Sequence, residues 1–264
     1  MADQTIVISV INHKGGTAKT TSAVHLAAAL ARKGKTVLAV DLDTQANLTH
    51  WLLGDLEADA PAIAECILDK SIPITQIIKP TSTKNLFIAP AGESMVDLEL
   101  KLHSAIGREH LLKRALEAAI GQYDVIILDN PPNIGLTTVN ALAASDYYLV
   151  PVSCEYLPMV GIKHLLNTIE QIRPLNEKLS NLGYLLTMVD RREGIATDVE
   201  EILRDNFKSE VLKTVVRVNT KLKACPQKKK TIFDIEPSSG RGHQDYTNVG
   251  KEILKRMETL CGAR

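Results

Sequence analysis

Aromatic residues are scarce in this chain of 264 residues, with three Phe, six Tyr and one Trp. So few rings near its basic stretches argue against base stacking as a mode of recognition. Cysteine is sparse too. Cys66, Cys154, Cys225 and Cys261 lie far apart with no C-x-x-C pair. That excludes a zinc ribbon or disulfide framework and favours reduced thiols in a cytosolic protein. Net charge is zero, 31 basic against 31 acidic residues, so attraction for nucleic acid must come from a local patch. No apolar run approaches the roughly 18 residues a membrane span needs. The opening "MADQTIVISVINHKGG" carries Asp3 and lacks the charged start and apolar core of a signal peptide, so a cytoplasmic protein is expected. There is no internal repeat, low-complexity tract or linker.

What is present is enough for one large domain spanning residues 1–264. A domain of this size buries roughly 70–75% of its unfolded surface and needs no metal or disulfide staple. Short β-rich runs recur at 5–11, 36–42, 86–90, 124–129, 147–152, 182–189 and 211–216. Most are continuously apolar rather than alternating, as strands covered on both faces are. Helical spacing fills the gaps, first in "TTSAVHLAAALARKG", where Val24, Ala27, Ala28 and Ala31 share a face and Gly34 supplies a stop. The alternation predicts an α/β fold, a mostly parallel sheet of seven or eight strands flanked by helices, with ligands at the strands' carboxyl ends. The segment from about 55 to 83 reads as a helical insertion.

Between the first strand and helix lies "NHKGGTAKTT", Asn12 to Thr21. A Gly-rich turn leading into Lys-Thr-Thr aims backbone N–H groups and a helix dipole at an anion, the arrangement that cradles nucleotide phosphates. Lys19 would neutralise β- and γ-phosphates and the Thr20 hydroxyl would ligate Mg2+. The strict pattern G-x-x-x-x-G-K-[ST] fails, since His13 and Ala18 stand where it has glycine. Two more stretches fit a nucleotide site. "VIILDNPP" carries Asp129 to a strand end, where it could hold a Mg2+-bound water. "AVDLDTQANLT" places Asp41 and Asp43 where they could face a γ-phosphate and orient a water, or serve only as helix caps.

Together, "KGGTAKTT", "VDLDTQAN", "LDNPP", "PVSCEYLPMVGIKHLLNTI" and "VVRVNTKLKACP" resemble the ParA-type (Soj-like) partition ATPases of the deviant Walker A class. The resemblance runs in order along nearly the whole chain and implies a P-loop NTPase fold. Its pattern K-G-G-x-G-K-[ST]-[ST] falls on Lys14, Gly15, Gly16, Thr17, Ala18, Lys19, Thr20 and Thr21 as nucleotide-binding residues. It implies that two protomers sandwich two ATP molecules and that Lys14 reaches across to the partner's phosphates, much as an arginine finger does. Carried over by position, Thr20 holds Mg2+, Thr21 lies near the α-phosphate and Asp43 orients water. Asp129 is the Mg2+ partner through water, Pro132 belongs to the second switch and Asn219 contacts adenine. Slow, partner-stimulated hydrolysis by Lys14, Lys19 and Asp43 is implied. Ala18 replaces a family glycine. Because the residues after it enter the helix, its backbone is expected near helical, where alanine fits. "DTQAN" replaces D-P-Q-G-N and should alter the stiffness of the first switch.

From Val211 to Phe233 the chain has seven basic residues and no acidic one: Lys213, Arg217, Lys221, Lys223, Lys228, Lys229 and Lys230. Arg191, Arg192 and Arg241 could share their side. The competing structural reading is a solvated surface that balances the acidic region 41–69. By resemblance, Arg217, Lys221, Lys223 and Lys228–Lys230 bind DNA without sequence preference in the ATP homodimer, which acts on the nucleoid with a ParB-type centromere-binding protein. Plasmid, chromosome and other cargo are not separable. A MinD-like membrane role would need a lipid-facing terminal helix. Ile253, Leu254, Met257 and Leu260 are spaced instead as a core-packed face, so no membrane partner is expected. An iron-protein-like redox role fails because Cys154 has no second cysteine with matching placement.

Overall fold

The computed structural model describes residues 5–57, 60–154 and 159–262. Asp3 and the Glu155–Pro158 part of the fourth family-like stretch lie outside the described residues. Seven strands form one sheet: β1 (Ile6–Val10), β2 (Val37–Asp41), β3 (Lys79–Pro80), β4 (Leu86–Ala89), β5 (Val125–Asp129), β6 (Tyr147–Ser153) and β7 (Ser180–Thr187). Their order is β3-β4-β2-β5-β1-β6-β7. All pairings are parallel except β3 with β4. The helices are α1 (Lys19–Arg32), α2 (Asn47–Leu52), α3 (Ile63–Leu68), α4 (Met95–Ser104), α5 (Leu111–Leu116), α6 (Leu136–Ala144), α7 (Met159–Ile172), α8 (Gly194–Phe207), α9 (Thr220–Ala224), α10 (Ile232–Ile235) and α11 (Arg241–Gly262).

The continuous apolar strands have a direct cause, since successive side chains point to opposite faces and both faces are covered. Ile8, Val10, Val125 and Ile127 join a core beneath α1 and α11. Val7, Leu38, Ile126 and Leu128 face the other way, toward α3, α4 and α5. A third cluster joins β6 and β7 to α7 and α8. The segment expected as an insertion contributes Ile63, Ile67, Ile74 and Ile77 to the second core, so it forms part of the sheet's cover.

Two expectations are corrected here. Helix α1 buries more than one face, because every residue from Ser22 to Ala31 is buried, with α11 on the side away from the sheet. Its alanines allow that close approach, and Gly250 of α11 sits so near Ala29 that a methyl there would come within 2.8 Å. Residues 211–216 are not a strand. They follow β7 through isolated bridges, with Leu212 N–H donating to Tyr184 O (2.9 Å) and Val216 N–H to Leu186 O (2.8 Å). The N–H groups of Lys213 and Thr214 instead donate to the Glu252 carboxylate of α11, at 2.8 and 2.9 Å. That carboxylate draws the backbone off the ladder. The unforeseen β3 is a two-residue edge piece, where Pro80 is tolerated because its missing N–H faces no partner.

The apolar side of α11 is occupied, as its spacing foretold. Ile253 and Met257 are buried, and Leu254 and Leu260 pack against the first core. Among the described residues, no helix is long and apolar enough to cross a membrane.

Candidate nucleotide site

Three parallel strands, β2, β5 and β1, end side by side, with Asp129 in register with both Asp41 and Val10. The chain leaving β1 forms the phosphate-loop candidate, and Asn12 sets its start. The Asn12 side-chain N–H donates to Pro151 O at 2.7 Å, while its Oδ1 accepts the Lys14 N–H at 3.0 Å. Thr17 Oγ1 donates to Lys14 O (3.2 Å), and Thr187 of β7 donates to Thr17 O (3.2 Å). Gly16 has φ 76°, and a side chain on Gly15 or Gly16 would meet nothing within 4 Å. The loop is therefore pinned from beneath and open above, where an anion could meet its N–H groups.

Ala18 overturns the expectation made for it. It caps α1 in the left-handed region, at φ 63° and ψ 35°. The turn must reverse direction between the loop and the first helical turn, and a left-handed residue achieves this. A methyl-bearing residue held there costs about 1–2 kcal/mol. Ala46 repeats the situation ahead of α2, at φ 49° and ψ 33°. Both positions are glycine in the family pattern, so this chain carries the same strain at the entrance of both helices.

Lys19 is only 8% exposed. Its ammonium donates to the Lys14 carbonyl at 3.3 Å. Burial lowers its pKa, opposed by the nearby Asp129 and Asp43 carboxylates. Lys14 itself is exposed at the loop's rim. Asp129 is fully buried, and neither of its oxygens has a hydrogen-bond partner of normal geometry among the described residues. Burial and the neighbouring Asp41 raise its pKa well above the carboxylate range, and the Thr20 hydroxyl and Lys19 offset this only in part. A buried carboxylate without donors is costly unless a cation completes it. Thr20 and Asp129 thus fit a Mg2+ site, as both are hard oxygen donors next to the loop.

Asp41 and Asp43 divide the roles left open between them. Asp41 is a structural anchor. It accepts Thr49 N–H (2.8 Å), Thr49 Oγ1–H (2.7 Å) and Asp43 N–H (3.2 Å), tying the strand end to α2. Thr49 Oγ1 in turn accepts the Ala91 N–H at 2.9 Å. Burial still lifts the Asp41 carboxyl to about 6. Among the described residues the Asp43 carboxylate accepts the local Gln45 N–H, at 3.0 Å on Oδ1. Asn130, unremarked in the sequence, bridges the ends of β5 and β1 by donating to Ser9 Oγ (2.8 Å) and Val10 O (3.1 Å). Pro132 is exposed just beyond it.

On the other flank of the loop, Ala18, Thr21, Asn219, Leu222 and Tyr246 line a cavity of about 80 Å³ beside the first turn of α1. Asn219 is thus near the loop, but its side chain is engaged. It caps α9 by accepting Lys221 N–H (2.8 Å) and donates to Glu236 (2.9 Å). A larger groove of about 860 Å³ follows the first switch, lined by Asp55, Glu57, Glu65 and Glu93 among others. Those carboxylates would repel a triphosphate, so the loop suits a nucleotide better than this groove does.

The basic residues separate into two groups. Lys221, Lys223, Lys228, Lys229 and Lys230 are exposed. Arg217 instead forms a two-pronged ion pair with Asp245 of α11, 2.5 Å at its shortest. Arg191 pairs with Glu200 and Arg192 with Asp190. These three arginines are largely neutralised, which leaves the lysines as the positive surface.

The fold and loop define a P-loop NTPase with a second, early lysine. A family model described as an AAA domain matches residues 5–181. Soj of Bacillus subtilis, a sporulation initiation inhibitor protein, is 42% identical over 94% of this chain and 97% of its own length. The chromosome partitioning protein ParA of Myxococcus xanthus is 38% identical over 95% of this chain and 88% of its own. A Mycobacterium smegmatis cobyrinic acid a,c-diamide synthase, solved with ADP and magnesium, superposes with a TM-score of 0.84 at 30% identity, covering 97% of this chain and 96% of that one. The chain belongs to the ParA/Soj family of partition ATPases.

Proposed function

We propose that this protein is an ATP-driven switch in DNA partition, in which an ATP-bound homodimer binds DNA without sequence preference and slow hydrolysis releases it. The observation that carries this reading is a meeting at one end of the sheet. A buried ammonium, Lys19, rests on a loop carbonyl beside Asp129, a buried carboxylate with no hydrogen-bond partner of normal geometry among the described residues. Both would gain partners from a nucleotide phosphate with its cation. Thr20 and Asp129 would hold Mg2+. The cation, when bound, supplies charge neutralisation on the β- and γ-phosphates. Lys19 exchanges the Lys14 carbonyl for the phosphates of its own nucleotide. Asp43 orients the attacking water, and Lys14 of the partner subunit brings charge across the dimer. The loop N–H groups of Gly15, Gly16 and Thr17 bind the phosphates, and Asn219 borders the base.

DNA affinity then resides in Lys221, Lys223 and Lys228–Lys230. The log of affinity falls with log salt by about 0.9 per phosphate contacted. Doubling the contacts on dimerisation therefore raises binding by orders of magnitude at physiological salt. A ParB-type protein accelerates turnover in this reading, and the protein resides on the nucleoid in the cytoplasm. Light scattering with ADP, ATP and a non-hydrolysable analogue tests the scheme. A dimer is expected only with the triphosphates, and Lys14→Ala should stay monomeric while still binding nucleotide. A wild-type protein that stays monomeric with ATP would refute it. Lys228, Lys229 and Lys230 changed together to Glu should abolish DNA retention and leave ATP binding intact.

A further inference from the structure

Two hydrogen bonds join the basic segment to the two helices that follow the nucleotide loops. Trp51, on α2 just after the first switch, donates its indole N–H to the Lys230 carbonyl at 2.9 Å. His25, on α1 one turn beyond the phosphate loop, accepts the Ile232 N–H on Nε2 at 3.0 Å. Its Nδ1 lies 2.8 Å from the Thr21 carbonyl, which can only accept. Nδ1 therefore carries the ring's single proton, and the imidazole is neutral. The ring is fully buried, stacked on Tyr246 (4.6 Å between centroids) and edge-on to Trp51 (5.3 Å).

The segment between those two bonds is short and sharply shaped. Lys229 has φ 50°, and its ammonium lies over Gly54, so close that a methyl there would meet it at 2.5 Å. Gly54 follows the end of α2, the end of a helix that favours a cation. On its far side the segment is closed by the Thr231–Asp234 capping box that starts α10. Lys228–Lys230 thus hangs from α2 by Trp51 and Lys229, and from α1 through His25 at Ile232.

We propose that Trp51 and His25 are positioning residues that make the Lys228–Lys230 segment move with the nucleotide loops, so that the nucleotide state sets the placement of the DNA-binding lysines. α2 is the lever. Its start is tied by Thr49 to Asp41 at the strand end, and the loop before it carries Asp43. A shift of the first switch on nucleotide exchange is carried by α2 to the Lys230 carbonyl, while His25 holds the segment's other end to α1. The inference rests on the DNA-binding reading for its consequence, though not for its geometry.

Hydrogen exchange in residues 228–232 of wild-type protein, with magnesium and either ADP or a non-hydrolysable ATP analogue, tests the linkage without DNA. Exchange there should differ between the two nucleotides. Trp51→Phe keeps the ring and removes the donor, and it should erase that difference. It should also lower the ratio of duplex-DNA affinities, analogue over ADP, about fivefold, the scale of one hydrogen bond's net contribution. Its nucleotide affinity should stay within twofold. Equal exchange with both nucleotides in the wild type, or an undiminished difference in Trp51→Phe, overturns the linkage. A segment that answers to nucleotide in a protein that retains no DNA would leave the linkage standing and remove the DNA-binding reading. Trp51 is the only tryptophan, so its emission adds a direct readout of the indole's surroundings.

Discussion

Replacing Ala18 and Ala46, the N-caps of α1 and α2, by glycine should stabilise this protein, unlike a glycine placed inside a helix. Each alanine sits in the left-handed region, at φ 63° and 49°. Holding a Cβ there costs about 1–2 kcal/mol, which glycine removes. Glycine also enlarges the unfolded ensemble, a loss of about 0.4–1 kcal/mol. The net gain is about 0.5–1 kcal/mol per site, and about 1–2 kcal/mol for the pair if the two add. For a chain of this size, about 1 kcal/mol raises Tm by roughly 2–4 °C. Urea titrations of the nucleotide-free protein, followed by Trp51 emission, give the difference at constant m-value. A backbone in the right-handed region at these sites would leave only the entropic loss. The refuting result is therefore destabilisation of about 0.4–1 kcal/mol in each single variant.

Other consequences follow from the buried carboxylates. Asp129→Asn should raise the stability of the nucleotide-free protein by about 1–3 kcal/mol, because it replaces a buried carboxyl whose oxygens lack well-formed hydrogen bonds. The same variant should lose Mg2+-dependent hydrolysis, and a coupled ATPase assay beside a urea curve checks both halves. Stability should also depend on pH with an unusual sign. Folding lifts Asp41 to about 6 from an unfolded value of about 3.9. The folded protein therefore keeps a proton that the unfolded chain has released. This group's contribution is fully present below pH about 4 and is lost as pH rises through about 6. Asp129 shifts the same way, so the urea midpoint should rise from pH 7 to pH 5, and rise less in Asp129→Asn. Thr49→Val should cost about 2–3 kcal/mol in a urea titration, since it deprives Asp41 of a donor and orphans the Ala91 N–H.

The sheet was readable because burial on both faces leaves its mark on each strand separately. "VIILD" is apolar at every position before its aspartate, whatever lies around it. The phosphate loop was readable because its requirements are local: small residues at the turn, a lysine, and hydroxyls at the helix start. Some features had no local mark. Residues 211–216 carry a strand-like pattern, yet Glu252 on the last helix takes two of their N–H groups. Arg217 looked available until Asp245, 28 residues further on, enclosed it. Asp41 and Asp43 look alike in "DLD", and only the approach of Thr49 makes one an anchor.

Composition and order thus determined which segments could be strands, where an anion could bind and which residue types surround it. Those properties depend on neighbours within a few positions along the chain. Tertiary structure alone decided which charges stay exposed and which carboxylate is buried without a well-formed hydrogen bond among the described residues. Each of these depends on groups brought together from distant parts of the sequence, and burial then fixes whether a charge is paired, protonated or left for a ligand.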